Sequence, residues 1–284
     1  MRFPHQRGQG RAMTAEIMRV FGDGCASALR GDPVPKFESA MQSLAWHQRS
    51  YFCEGHAMGL AALSAIKGRP VNPDTFYAGE SYVVARLIGY GFWNGIASSY
   101  PVPALRCDSG YWKHLRRWEE LRPLLANGES YASMLVRRRF DRSDLAAIRG
   151  SSEERLAALH GAGRVLWLLY MYNYGALRVQ LEVCGADRDA VAVGLGFAIG
   201  FMNAREATEI PKVLDEFGEA RPAAARGAGI ALALHMCNDA ESHREVWRQL
   251  SGELLEIAEG ALQAAKSAGS GAGWYGRICA PAQT

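Results

Sequence analysis

Two ionisable residues, Glu54 and His56, flank Gly55 inside the otherwise apolar run from Phe52 to Leu63. A carboxylate and an imidazole taken out of water must find partners or shift their pKa values, and this makes them candidates for proton transfer. The plainer alternative is a glutamate at a helix start and a satisfied core histidine. Further on, His243 and Glu245 form a second acid–base candidate in the polar stretch from His235 to Glu245.

Within that stretch, Asn238, Asp239 and Ser242 followed by a carboxylate resemble the second magnesium-binding motif of class I terpene synthases. There, oxygen ligands on one helix face hold Mg²⁺ against a diphosphate. The last ligand of that motif would fall at Val246, so Glu245 is one residue early and about 100° round the helix. The aspartate-rich partner motif is absent. Asn238 with Glu241 reads equally well as a pair capping the start of a helix. Asp187-Arg188-Asp189-Ala190 resembles the acid motif of class II cyclases without its last aspartate, and a loop is expected there. No phosphate loop, nucleophile elbow, zinc spacing or dinucleotide fingerprint occurs.

Aromatic and polar side chains embedded in apolar segments offer a lining for a greasy pocket: Tyr90, Phe92, Trp93, Asn94, then Arg164, Trp167, Tyr172 and Asn173. Aromatic faces can stabilise a carbocation. The same stripe at helical spacing is also what an ordinary core contains. Asn94, Asn173 and Asn203 stand near the ends of apolar runs, where capping also accounts for them.

The elements that must position these residues are glycine-bearing helices. Gly55 and Gly59 leave one helix face nearly bare, and similar segments recur around Gly89-Tyr90-Gly91, Gly161-Ala162-Gly163, Gly194-Leu195-Gly196 and Gly227-Ala228-Gly229. A helical glycine costs about 1 kcal/mol relative to alanine, so tight packing or a bound molecule must offset it. Three-and-four apolar spacing predicts helices over Thr14–Leu29 and Phe37–Ser50, and further helices over Phe76–Ile96, Tyr111–Leu125 and Ser130–Arg138. A capping box at Ser151 and Glu154 opens another, running to Tyr170. Outer helices are expected over Glu206–Phe217 and Glu241–Ala265. The fold class is all-α: stacked helical hairpins forming one domain over residues 1–266, with a flexible Gly/Ser-rich tail at 267–284.

With 49% hydrophobic and 21% charged residues the chain belongs with ordinary globular proteins. A net charge of +3 and a lone Arg137-Arg138-Arg139 run give no concentrated basic face for nucleic acid. The six cysteines show no Cys-x-x-Cys pair, and no apolar run reaches the roughly 20 residues needed to span a bilayer. The polar, basic N-terminus argues against secretion, so a cytoplasmic protein is expected.

Taken in order, several pieces resemble one family: Phe52-x-Glu54-Gly55-x-x-Met58-Gly59-Leu60-Ala61, Gly89-Tyr90-Gly91-Phe92-x-x-Gly95, Gly163-Arg164-x-x-Trp167, Val193-Gly194-Leu195, and Gly227-Ala228 with Asn238 and His243. They are similar to the enediyne-biosynthesis-associated proteins of actinobacterial natural-product clusters, a family without a settled reaction. His56 and Trp93 depart from the pattern, standing where a small residue and a histidine are expected. The resemblance implies specialised metabolism on a polyene or other hydrophobic chain. The expected function is a cyclase- or isomerase-type enzyme acting on a polyene or isoprenoid, with Mg²⁺ required if the substrate is a diphosphate. A hydrophobic small molecule and a second copy of the chain are the expected partners. The rival reading is a non-catalytic helical scaffold or carrier.

Overall fold

The computed structural model describes residues 5–68, 82–100, 118–238 and 240–267, and among these every regular element is a helix. The long helices are α1 (Gly10–Arg30), α3 (Trp46–Lys67), α4 (Val83–Ser99), α5 (Trp118–Arg137), α7 (Ser152–Tyr170), α9 (Arg188–Met202), α11 (Arg221–Asn238) and α13 (Gly252–Ser267). Between them lie α2 (Val34–Gln42), α6 (Arg142–Ala146), α8 (Tyr174–Val183), α10 (Ile210–Leu214) and α12 (Ala240–Trp247). The long helices pack in chain order, each on the next: α1 on α3, then α4, α5, α7, α9, α11 and α13. No helix among the described residues is long and apolar enough to cross a membrane.

The glycines explain how near these helices lie. In each Gly-x-Gly, the two bare positions are about 200° apart round the helix, so they face opposite neighbours. Gly161 meets the Asn127 carbonyl of α5 while Gly163 meets the Val191 carbonyl of α9. Gly194 and Gly196 do the same with His160 of α7 and Ala224 of α11. Gly89 and Gly91 likewise meet Glu54 of α3 and Leu125 of α5. A Cβ at any of these positions would overlap the opposing carbonyl oxygen. Backbones this close allow Cα–H···O contacts, worth about 0.5–1 kcal/mol each, to set against the helical cost of glycine.

Several boundaries differ from the sequence expectation. The predicted Phe37–Ser50 helix is two elements, because the chain turns at Ser43–Ala45 and α3 starts at Trp46, whose side chain is buried. The separate helix predicted at Ser130 is the second half of α5, which runs unbroken through Pro123 and Gly128. Gly128 is where α5 meets the Ile88 carbonyl of α4, so tertiary packing overrides the local breakers. Glu206–Phe217 is a series of short turns, with Glu206 and Gly218 out of helical geometry. Glu241–Ala265 divides into α12 and α13 at Gly252, φ +56°. The capping box at Ser151 is present. Asp239, the first part of the Tyr111–Leu125 segment, the start of the Phe76 helix and the tail from 268 lie outside the described residues.

The row of helices curls back on itself. Asn238 Nδ2 donates to Ser50 Oγ at 2.9 Å, Arg49 pairs with Glu241 at 2.7 Å, and Trp46 stands edge-on to His235 at 5.5 Å. These contacts join α11 and α12 to the start of α3. The N-terminal residues strap the C-terminal end of α7: buried Gln6 donates from Nε2 to Leu168 O (2.6 Å) and Thr14 Oγ1 (2.8 Å), and Arg7 N donates to Met171 O (3.0 Å).

Candidate functional site

Residues three apart share a helix face, and residues two apart do not. On α3 this places Tyr51 and Glu54 together, facing the interior enclosed by the other helices, and sends His56 to the opposite side. Glu54 is 3% exposed and meets Arg164 of α7, whose Nη2 lies 3.4 and 3.5 Å from the two carboxylate oxygens. Arg164 Nη1 donates to Asn127 Oδ1 of α5 at 3.0 Å. All three residues stand at the glycine crossings: the Glu54 carbonyl lies under Gly89, the Asn127 carbonyl under Gly161, and Arg164 follows Gly163. The closeness of the helices therefore brings a carboxylate, a guanidinium and an amide from three helices to one point.

Aromatic rings surround this point. The Arg164 guanidinium sits over the Tyr131 ring at 4.3 Å and faces Phe197 at 5.6 Å. Phe197 stacks on Phe201, which stacks on His235 at 4.3 Å, and Tyr51 meets Phe201 edge-on at 5.2 Å. His235 Nε2 lies 3.1 Å from the Phe201 carbonyl, so in the tautomer that satisfies both groups it donates. Burial pushes the Glu54 carboxyl above its ordinary range, more than the charge and hydrogen bond of Arg164 pull it down. Burial also raises the phenols of Tyr51 and Tyr131. Neither the Tyr51 hydroxyl nor the Trp167 Nε1–H has a hydrogen-bond partner among the described residues, although both are enclosed. An unmade bond of this kind costs about 1–3 kcal/mol, so each such group calls for a reason. Burial makes the Glu54 carboxyl easier to protonate than an exposed one, while Arg164 stabilises its ionised form.

The sequence-predicted residues separate into groups. Glu54 and Arg164 come together, Trp167 lies buried one turn beyond Arg164 on α7, and Tyr172 stands edge-on to Trp167 at 5.2 Å. Tyr172 adopts φ +59°, a strained geometry for a tyrosine, and donates from its hydroxyl to Asn203 Oδ1 at 3.1 Å. Phe92 packs on Tyr131 at 5.2 Å, while Tyr90 is enclosed in α4 and Trp93 is partly buried beside it. Asn94 lies inside α4 and not at its end, so it is no cap, and its enclosed Oδ1 has no hydrogen-bond partner among the described residues. Asn173 caps α8 through Ala176 N and donates to His5 O.

Glu54 and His56 do not form an acid–base pair. The His56 ring packs on Phe37 at 4.3 Å, and burial pushes its pKa down to about 4. His243 and Glu245 face outward, stacked on Trp247 and paired with Arg248. Of the magnesium candidates, Asn238 is committed to Ser50, Ser242 is fully enclosed, and Asp239 is outside the described residues. Glu245 pairs with Arg248 at 3.1 Å. No cluster of three or more His, Cys, Asp or Glu suited to a metal occurs among the described residues.

Sequence reasoning missed Tyr51, Asn127, Tyr131, Phe197, Phe201 and His235. Tyr51 carried a signal, one turn before Glu54, and so did Asn127, beside a glycine in an apolar stretch. The other four are indistinguishable from core until the helices are placed. Comparison with protein-family models, with curated proteins and with solved structures returned no match to this chain.

Proposed function

We propose that this protein is a biosynthetic enzyme that cyclises or isomerises an unsaturated hydrocarbon chain, a polyene or isoprenoid, with Glu54 as its acid. The reading rests on one observation: a buried carboxyl with a raised pKa, paired with Arg164, whose guanidinium lies over the Tyr131 and Phe197 rings. An acid shielded from water can protonate an alkene without water quenching the carbocation, and the cation formed is stabilised by ring faces. In this scheme Glu54 gives its proton to a terminal double bond. The neighbouring π bond closes on the resulting cation, and a proton returns from the last cation to the carboxylate, leaving an isomer of the substrate. Arg164, anchored by Asn127, is a positioning residue that aims Glu54. The sequence resemblance to enediyne-biosynthesis-associated proteins suggests specialised metabolism as the setting for this activity.

The test is incubation of the full chain with linear polyenes and with linear isoprenoid diphosphates, with and without Mg²⁺, in D₂O. The expected product from a polyene is a cyclised isomer carrying one deuterium per initiation event. Glu54→Gln should reduce its formation by about 10²–10⁴-fold, the usual contribution of a general acid. Glu54→Asp, which keeps an acid on a shorter arm, should retain part of it. Absence of product from every substrate would leave the helical scaffold or carrier as the better reading, and full activity of the Gln variant would remove Glu54 from the role of acid.

A further inference from the structure

The Glu54–Arg164 pair is looser than a closed ion pair. Charge-assisted N–H···O bonds run at about 2.7–2.9 Å, whereas Arg164 Nη2 stands 3.4 and 3.5 Å from the two Glu54 oxygens. The guanidinium is divided among three partners, because Nη1 is spent on Asn127 at 3.0 Å and its face lies on the Tyr131 ring at 4.3 Å. Once ionised, Glu54 is therefore short of donors, since a carboxylate has about four acceptor positions to fill. A donor stands one turn earlier on the same face of α3: Tyr51, at a spacing that puts Cβ atoms about 5–6 Å apart. Its side chain is 8% exposed, and its hydroxyl has no hydrogen-bond partner among the described residues. After burial, the groups that bear most on this phenol are Tyr131, Glu54 and Arg164. Burial raises its pKa, so Tyr51 keeps its proton and stays a neutral donor.

We infer that the Tyr51 hydroxyl turns to the Glu54 carboxylate when that group ionises, donating the bond that Arg164 leaves unmade, and that Tyr51 is thereby a second positioning residue for the acid. The bond removes two penalties at once, that of an enclosed O–H without an acceptor and that of a carboxylate short of donors. Because it is made to the charged form, it strengthens Glu54 as an acid. In the proposed reaction the proton leaves Glu54 for the alkene, Tyr51 keeps its own proton and holds the carboxylate, and the proton lost by the last cation returns to the carboxylate. The charged and titratable groups acting on this pair are Arg164 from α7 and Tyr131 from α5, with Glu16 of α1 acting on Tyr51 after them. His56 is turned away, against Phe37. This inference deepens the proposed function and rests on it for the catalytic step, whereas the bond itself needs no substrate.

The experiment is a pH titration of the full chain by infrared spectroscopy in D₂O, over the range in which it stays folded. The Glu54 carboxyl band is the one missing from Glu54→Gln. Tyr51→Phe keeps the ring and removes only the hydroxyl, and it should raise the apparent pKa of Glu54 by about one unit, a tenfold change in proton affinity, as expected for losing one hydrogen bond to a charged group. An unchanged or lowered pKa overturns the inference, as does a Glu54 band that titrates in neither protein. A rise seen in Tyr131→Phe and not in Tyr51→Phe overturns it too, by assigning the donor to Tyr131. Should Tyr51→Phe fold poorly, the wild-type chain carrying tyrosine labelled with ¹³C at Cζ gives a second reading. One phenol signal should move as Glu54 titrates and hold still in Glu54→Gln, and no such signal overturns the inference. Turnover that depends on Glu54, with its pKa indifferent to Tyr51, sinks this inference alone. Full turnover by Glu54→Gln, with the Tyr51-dependent shift intact, sinks the acid role of Glu54 alone.

Discussion

At Glu54 and Arg164 the balance between charge and burial is close. Taking both groups out of water is expensive, and their mutual attraction with the Asn127 hydrogen bond offsets much of it. Removing one partner leaves the other uncompensated, so Arg164→Met should destabilise by about 3–5 kcal/mol in chemical denaturation. The double variant Glu54→Leu, Arg164→Met should recover most of that loss, since an apolar pair of similar volume replaces the ions. A double variant no better than the single would mean that the pair does not interact as the geometry indicates. Two histidines set the acid limit of stability. Burial pushes His160 down to about 3 and His56 to about 4, both from 6.5. The unfolded chain takes up these protons below about pH 6.5 and the folded chain does not, so their contribution is present above that pH and lost as pH falls toward 4. Glu54, with its pKa raised, acts oppositely and opposes only part of this loss. The melting temperature should therefore drop between pH 6.5 and 4, and His160→Gln should flatten the slope by up to about 1.4 kcal/mol per pH unit.

At the scale of helices, the crossings make glycine obligatory at some positions and dispensable at others. A methyl at Gly196 would run into the Ala224 carbonyl, backbone that cannot rotate away. Gly196→Ala should cost about 1–3 kcal/mol or more by forcing α9 from α11, despite alanine's better helix propensity. Gly22, exposed on α1 with nothing within 4 Å of its Cβ position, is the control. Gly22→Ala should stabilise by up to about 1 kcal/mol, measured in the same denaturant series. If both substitutions behaved alike, the close helix approach would not be the reason for the glycines. The glycine-bearing segments and the capping box were legible in the sequence because each depends on neighbours in the chain. The joined α5 was not, because Pro123 and Gly128 are local breakers whose cost is outweighed only by packing on α4 and α7.

At the scale of the molecule, a row of helices packed in chain order would make an open stack were its ends not tied. Gln6 supplies one tie, from the N-terminal strap to the end of α7, and Asn238 with Ser50 supplies another. Gln6→Ala leaves the Leu168 carbonyl and Thr14 hydroxyl without this donor. It should cost about 1–3 kcal/mol and speed amide hydrogen exchange selectively over the last turn of α7. Uniform acceleration across all helices would instead show that the strap and the stack unfold as one unit.

The sequence by itself determined that the fold is all-helical and that its inner helices carry bare glycyl faces, since periodicity and composition are properties of adjacent residues. It also singled out Glu54, Arg164, Trp167 and Tyr172 as polar or aromatic groups within apolar helices. Only the tertiary structure decided which groups meet. Glu54 finds Arg164, 110 residues away, and not His56 two residues on, because a 3.6-residue turn puts i and i+2 on opposite sides. His243 and Glu245 turn outward for a similar reason: α12 buries Ser242 and Val246 and leaves their neighbours to solvent. Contacts made across a helix ring depend on where whole helices cross, and that is set by the sum of all seven seams rather than by any segment alone.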